Sequence, residues 1–340
     1  MPRSTALRLD LEGRIRVETP REDLWVEQQF DGEYSDVGTN IERDILADLR
    51  TTPWEEVVAE RFAEQNPWLY QIITDRGRSL FLDLLSIKRG STFLDVGSGW
   101  GQVAVPLSQY GDVYCLDVSL SRLEILREIA RQENARLRYI CGNFCTFPFA
   151  ENQFDLVIFN GSFEWLALGV RDRSIWDVQR AALEKTRCIL RPKGVVYIGI
   201  ENSLGLKYLL GAPDDHTGIP NLTFCSEAAA KNLCEQNSTP LRAKTWSITE
   251  YRALFDAAGL TVVDIFGCFP DYKRIRQMIP IQDVDAVVAE KGLPYPEHSG
   301  SDGTPLPFCD RLDHLYRLLG KNGIAQYFCP SYALIAEKPG

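Results

Sequence analysis

Thr92-Phe93-Leu94-Asp95-Val96-Gly97-Ser98-Gly99-Trp100-Gly101 decides the fold of this 340-residue chain. Thr92 to Val96 is a short apolar run with one acid, which reads as a strand buried on both faces. It runs into three alternate glycines, and Gln102 to Tyr110 behind them reads as a helix. Glycines let the chain turn sharply and let a ligand touch the backbone. The helix start offers N–H groups that have no partner within the helix. Asp95 stands two residues before Gly97, inside the strand end, where a buried carboxylate needs a partner.

Working outward, short apolar runs alternate with helical patterns. Asp112 to Leu116 is a second strand. Ser119 to Asn134 reads as a helix with Ser119 as N-cap and Leu123, Leu126, Ile129 and Ala130 inside. Leu137 to Ile140, Phe154 to Phe159 and Gly194 to Ile200 are further strands, with a helix near Asp177 to Leu190 before the last. Strands and helices alternating at this spacing imply βαβ units and a parallel sheet. Then come an irregular stretch from Asn202 to Trp246, a helix with Thr249 as N-cap and Gly259 as C-cap, and a strand from Leu260 to Phe266. A second insertion, Gly267 to Gln326, precedes a final strand from Tyr327 to Glu337. Loops of this length are usually functional, and the two insertions, about 202–247 and 267–326, read as one cap over the sheet's carboxyl edge.

The first 85 residues read as a helical extension. Ile41 to Leu49 has helical apolar spacing, a second helix begins near Pro53, and a third covers Pro67 to Leu85. Residues 86–340 form the main domain. The extension is a lid or a homodimer surface, and both remain open.

Composition removes several classes. With 37 Lys and Arg against 47 Asp and Glu the formal net charge is −10, and no local basic patch stands against it, so a nucleic-acid partner is not expected. A 45% hydrophobic and 25% charged chain is globular, not disordered. No apolar run reaches the ~18–20 residues that span a bilayer, and the start, Met1 to Arg8, lacks a secretory apolar core. Nine Cys without CxxC or zinc spacing read as reduced thiols, so the expected location is cytoplasmic.

Two further features sharpen the glycine turn. Asp117 ends the second strand, 20 residues after Gly97, where an acid can accept both hydroxyls of a ribose. Gly142-Asn143-Phe144 follows the third strand, where a loop can cover an adenine. Together with Phe154 to Gly161 and Leu190-Arg191-Pro192-Lys193-Gly194, these motifs resemble the class I S-adenosylmethionine-dependent methyltransferases over about Leu80 to Ile200. The resemblance implies an α/β, Rossmann-like sheet of seven strands in the order 3-2-1-4-5-7-6, the last antiparallel, and S-adenosyl-L-methionine as cofactor with S-adenosyl-L-homocysteine as product. By the same resemblance Gly97, Gly99 and Gly101 bed the methionine moiety and Asp95 holds its amino group. Asp117, followed by Val118, takes the ribose. Asn143 meets the adenine amine and Phe144 lies beside the ring, while Asn160 and Gly161 close over the amino end. Many family members carry Asp where Asn143 stands. A second resemblance, in Ile200 to Tyr208, Gly211 to Gly218, Asn160-Gly161-x-x-Glu164-Trp165 and Phe269 to Lys273, is to methyltransferases associated with bacterial surface-polysaccharide assembly. Ile219 to Ser247 fits that pattern poorly.

Methyl transfer from a sulfonium is an in-line displacement, so the protein chiefly aligns the reactants, and a base is needed only for a tightly held proton such as that of a sugar hydroxyl. Expected acceptor-side groups are Glu164, Glu201, Asp214, Asp215 and His216, with His216 the base by intrinsic pKa and Glu201 and Asp215 beside it. Glu164, Trp165, Asn202 and Tyr272 are the expected substrate contacts, and Trp246, Tyr251 and Phe269 are further aromatic candidates. His298 and His314 lie in the late insertion. No metal is assigned, because the adjacent Asp214 and Asp215 point apart. The acceptor is expected to be a small or sugar-like molecule, methylated at oxygen first and nitrogen second. Two other classes compete. A nicotinamide-dependent oxidoreductase would want G-x-G-x-x-G where this chain has G-x-G-x-G, and a Tyr-x-x-x-Lys pair that is not evident. A non-catalytic nucleotide-binding module would be expected to have lost Asp95, Gly97, Gly99 or Asp117.

Overall fold

The computed structural model describes residues 7–9, 17–27, 37–170, 172–292 and 309–340. Met1 to Ala6 and His298 lie outside them. The strands are β1 (Val17–Arg21), β2 (Leu24–Glu27), β3 (Ser91–Val96), β4 (Gly111–Asp117), β5 (Leu137–Cys141), β6 (Phe154–Asn160), β7 (Leu190–Glu201), β8 (Thr261–Phe269), β9 (Gln277–Pro280) and β10 (Ser331–Glu337). The helices are α1 (Thr39–Asp48), α2 (Trp54–Phe62), α3 (Pro67–Thr74), α4 (Ala104–Leu107), α5 (Leu120–Gln132), α6 (Ile175–Ile189), α7 (Leu206–Leu209), α8 (Glu227–Gln236), α9 (Ile248–Ala257), α10 (Val284–Lys291) and α11 (Cys309–Lys321). Among the described residues no helix is long and apolar enough to cross a membrane.

The sheet is mixed and ten-stranded, in the order β1-β2-β5-β4-β3-β6-β7-β10-β8-β9, where seven strands were expected. The three unexpected strands are β1, β2 and β9. They are five, four and four residues long, and each carries at most one fully apolar face. Short strands of that kind at or next to the sheet's edges, with Pro20 in β1 and Pro280 in β9, leave almost no periodic signal.

The chain divides into two compact units. The first comprises Met1–Phe159, Lys185–Val196 and Lys338–Gly340. Its strands β3, β4 and β5 pair in parallel, with Asp95 opposite Cys115 and Asp117 opposite Cys141. All but the first residue of β3 is buried, as an apolar run covered on both faces requires. Gly111 is fixed by packing: a Cβ there would strike the Ser91 backbone across the β3–β4 pair. The N-terminal segment is not wholly helical, since β1 and β2 form an antiparallel pair and β2 adds in parallel to β5. Nor is Pro67 to Leu85 one helix. Asp75 ends α3 in an extended conformation and its carboxylate accepts from Gly77 N, starting a separate 3-10 turn. Leu80 and Leu84 in that turn are exposed, while Phe81 and Leu82 are buried. The expected helix from Gln102 to Tyr110 shrinks to α4, which has Pro106 inside it. Ile45, Leu49, Val57, Val58, Phe62, Leu69 and Ile73 pack with Ile125 and Ile129 of α5, and with Trp100. The extension therefore grips the glycine turn itself, through Trp100 and through Gln102 Nε2, which donates to Ile72 O.

The second unit comprises Asn160–Glu184 and Tyr197–Glu337. Here β8 pairs antiparallel with β10 and with β9. The cap of α9 is Ser247, not Thr249: Ser247 Oγ accepts from Glu250 N while the Glu250 carboxylate accepts back from Ser247 N, a reciprocal capping box. Gly259 follows with φ +70, as a helix-ending glycine should. The stretch from Asn202 to Trp246 holds α7 and α8, the latter packed through Ala230 and Cys234 on Ile219 and Leu222. The second insertion contributes β9, α10 and α11. Tyr327, expected in the last strand, lies instead in a 3-10 turn, Ala325–Phe328, and β10 begins at Ser331.

Candidate active site

In the first unit the site is built at the carboxyl ends of β3 and β4. Gly97, Gly99 and Gly101 have φ of 74°, 52° and 87°, a region that side-chain-bearing residues rarely adopt. At Gly101 a Cβ would also collide with Leu126 of α5, so this glycine sets the distance between turn and helix. Asp117 clasps the turn: its Oδ2 accepts from Gly99 N at 3.1 Å and its Oδ1 from Ser119 N at 3.0 Å, with Arg122 3.9 Å away. Asp95, 2% exposed, keeps Oδ2 without a hydrogen-bond partner, and the buried Ser98 Oγ is in the same condition. Burial pushes the Asp95 carboxyl up to about 7; Arg78 opposes that shift and Asp117 adds to it.

A second centre lies within the second unit. Glu164 follows β6, Glu201 ends β7, and Asp214, Asp215 and His216 occupy the loop after α7. His216 Nε2 lies 3.7 Å from Glu164 and 4.0 Å from Glu201, and its Nδ1 lies 3.6 Å from Asp214. Trp165 stands edge-on to the imidazole at 5.1 Å. Burial would strip the His216 proton, but Asp214, Glu164 and Glu201 outweigh it and push the imidazole up to about 10. The expected base is therefore a held cation at neutral pH, because three acids surround it. Asp215, on the same loop, pairs with Lys207 at 3.0 Å and Lys273 at 3.5 Å, and those two ammonium groups outweigh burial and hold its carboxyl well below the usual range. Lys273 also bonds Glu201 Oε1, which accepts from the Tyr272 hydroxyl as well. Burial favours the protonated form of Glu201, but Lys273 and His216 overcome it and lower its carboxyl. Glu164 has no lysine beside it, and burial raises its carboxyl against the pull of His216.

Lys207 and Lys273 were missed as site residues. Both stand in stretches that the sequence singles out, but their partners are 8, 58 and 72 residues away. The usable signal was chemical: buried acids need cations.

Residues 94–198 match the family model described as a methyltransferase domain. The segment is a class I methyltransferase domain. The chain is 33% identical over 142 residues to a demethylmenaquinone methyltransferase of Renibacterium salmoninarum, a stretch covering 42% of this chain and 54% of that one. A demethylmenaquinone methyltransferase of Paenarthrobacter aurescens is 28% identical over 142 residues, 42% of this chain and 51% of that one. The chain thus spans about half the length of the curated relatives it matches. Among solved structures it is similar to phosphoethanolamine N-methyltransferase 2 of Haemonchus contortus, at 16% identity and a TM-score of 0.44, over 87% of this chain and 60% of that one. Likeness of that degree carries nothing about chemistry.

The methyltransferase domain fits S-adenosyl-L-methionine at its glycine turn. The buried Asp95 carboxyl, with Oδ2 lacking a hydrogen-bond partner, suits the cationic amino group, and the Asp117 carboxylate at the end of β4 suits ribose hydroxyls. Two expected contacts fit less well. Asn143 Oδ1, proposed for the adenine amine, already accepts from Cys145 N at 2.8 Å, and Asn143 N donates to Glu27 Oε2. Phe144 is 2% exposed, packed edge-on against Phe159 at 5.1 Å with the Lys185 ammonium over its ring. An apolar ring next to an apolar strand end is drawn into the core. Val118 is half-buried and its carbonyl takes the Cys141 thiol. Asn160 is buried at the end of β6, and Gly161 has φ +79 with the Tyr272 hydroxyl packed against it.

The acceptor-side candidates also divide. Glu164, Glu201, Asp215, His216 and Tyr272 share one cluster. Asn202 is a brace: its Nδ2 donates to Tyr327 O, Cys329 O and the Tyr332 hydroxyl. Tyr251 is 1% exposed, its hydroxyl donating to Glu201 O and accepting from Trp246 N; Phe269 is wholly buried. His314 is exposed on α11.

Proposed function

We propose that the protein transfers the methyl group of S-adenosyl-L-methionine to a small, hydroxyl-rich, sugar-like acceptor, with oxygen as the receiving atom. The observation that carries this reading is the buried Asp95 carboxyl, its Oδ2 without a hydrogen-bond partner, beside the turn of Gly97, Gly99 and Gly101. The cofactor supplies an already activated methyl on a sulfonium sulfur. The chain's part is orientation, which is worth roughly 7–11 kcal/mol in favourable cases. Asp95 takes the amino group, the glycine backbone beds the methionine chain, and Asp117 holds the ribose. Curated relatives named for demethylmenaquinone support a small-molecule acceptor. The acids and cations around Glu164 and His216 suit hydroxyl groups, with Trp165 and Tyr272 as aromatic flanks. Buried free thiols at Cys115, Cys234, Cys268 and Cys329 agree with a reducing, cytoplasmic setting.

The test is ligand-dependent melting. S-adenosyl-L-homocysteine at 100 times its Kd should add about 2.7 kcal/mol of stability, and NAD should add none. Stabilisation by NAD alone would move the protein to the oxidoreductases.

Asp95 makes the binding pH-dependent. Its carboxyl is largely neutral below 7 and ionised above, and an ammonium ligand needs the ionised form. Affinity for S-adenosyl-L-homocysteine should fall toward tenfold per pH unit below 7. Without ligand the sign is opposite. A raised folded pKa stabilises the fold at low pH, and that contribution is lost between about 4 and about 7. Asp95→Asn should flatten both dependences. Calorimetric titrations at pH 6 and 7.5 that give equal affinities in the natural protein would refute the assignment.

A further inference from the structure

Glu164, Glu201 and His216 come from three separate parts of the chain, and one ligand atom of each lies within 4.8 Å of the others. Glu164 and Glu201 are each 1% exposed, and each keeps Oε2 buried without a hydrogen-bond partner. His216 presents Nε2 to both carboxylates at 3.7 and 4.0 Å. These separations exceed a hydrogen bond.

Behind the imidazole stands a third acid. Asp214 Oδ2 lies 3.6 Å from His216 Nδ1, while its Oδ1 accepts from His216 N, Thr217 N and the Thr217 hydroxyl. At 3.6 Å that contact is longer than a hydrogen bond and Nδ1 has no hydrogen-bond partner, so a small ring rotation brings Asp214 to the place taken by the outer carboxylate of metal-ligating histidines. Lys273 and Tyr272 occupy Glu201 Oε1, so Oε2 is the oxygen that Glu201 presents. Charge points the same way. Glu164, Glu201, Asp214 and Asp215 are four acids, and the ion-paired cations among them are Lys207 and Lys273. Binding there exchanges the imidazole and Glu164 protons for the divalent ion, so that four carboxylates, two ammonium groups and a neutral imidazole stay balanced, as buried charge requires.

We propose that Glu164, Glu201 and His216 form a binding site for a divalent transition-metal ion, with Asp214 positioning the imidazole. Two carboxylate oxygens and one imidazole nitrogen suit manganese, iron or zinc, and leave coordination positions for other oxygen ligands. Ligand bonds of about 2.0–2.2 Å put donors roughly 3–4.4 Å apart, so small side-chain rotations close the site. An acceptor hydroxyl is the natural occupant of an open position; that clause alone rests on the methyl-transfer reading.

The experiment is equilibrium dialysis of the full chain, first treated with chelator, against MnCl2 and separately against ZnCl2. One ion per chain is expected, with affinity lowered at least 100-fold in Glu164→Gln and in His216→Ala. Asp214→Asn should bind about 10–100-fold more weakly while melting within a few degrees of the natural protein. Electron spin-echo spectroscopy of the manganese-loaded natural chain should show one imidazole nitrogen, a readout that survives even if the variants do not fold. Uptake of neither ion, unaltered binding in a folded Glu164→Gln variant, or manganese without nitrogen coupling overturns the site. S-adenosyl-L-homocysteine affinity, measured in the same chelator-treated sample, fails or holds independently and separates this proposal from the methyl-transfer reading.

Discussion

Glu201→Ala should lower the free energy of unfolding by about 3–5 kcal/mol, the cost of breaking a buried ion pair from one side. Glu201 is 1% exposed and is bonded by Lys273, and its second oxygen lies 4.0 Å from His216. Removing it leaves Lys273 with Asp215 alone at 3.5 Å, and that acid is already engaged by Lys207 at 3.0 Å. The Tyr272 hydroxyl also loses its bond at 3.3 Å. Urea unfolding monitored by circular dichroism measures the loss. The Glu201→Ala, Lys273→Ala double variant should be less destabilised than the two single variants added together, because no uncompensated charge remains. Strict additivity, or a single-variant loss below about 1 kcal/mol, would show that Glu201 is effectively solvated and not part of a buried network.

Asp117→Ala should weaken S-adenosyl-L-homocysteine binding by about 100-fold or more. Hydrogen bonds to a charged group contribute roughly 1.5–3 kcal/mol each, and Asp117 is assigned both ribose hydroxyls. It also bonds Gly99 N and Ser119 N, so its loss releases the turn that beds the ligand. Isothermal calorimetry reads the affinity, and a melting curve confirms that the variant is folded. An affinity within threefold of the natural protein would remove Asp117 from the site.

Both variants bear on residues that were legible to different degrees. Asp117 could be picked from spacing, because a strand end 20 residues after Gly97 must lie beside the first strand in a parallel sheet. Ser119 was legible for the same kind of reason: an N-cap bonds a backbone N–H three residues on, and Ser119 Oγ accepts from Arg122 N. Thr249 was read as the cap of α9, but Ser247 holds that place through its reciprocal bonds with Glu250. Asn202 was chosen for its place at a strand end, but its amide serves Tyr327, Cys329 and Tyr332, all more than a hundred residues on. Phe144 was read as a ligand platform because it follows a strand end, and its ring went into the core with Phe149 and Phe159.

The amino-acid order alone determined the βα alternation, the glycine turn and the acids at the ends of β3 and β4, since these depend on periodicity and on contacts between consecutive elements. Tertiary structure decided the protonation of His216, the pairing of Lys207 and Lys273 with Asp215 and Glu201, and the addition of β1, β2 and β9 to the sheet. Charge state and edge pairing depend on neighbours brought together across long stretches of chain, and a buried group takes its chemistry from those neighbours.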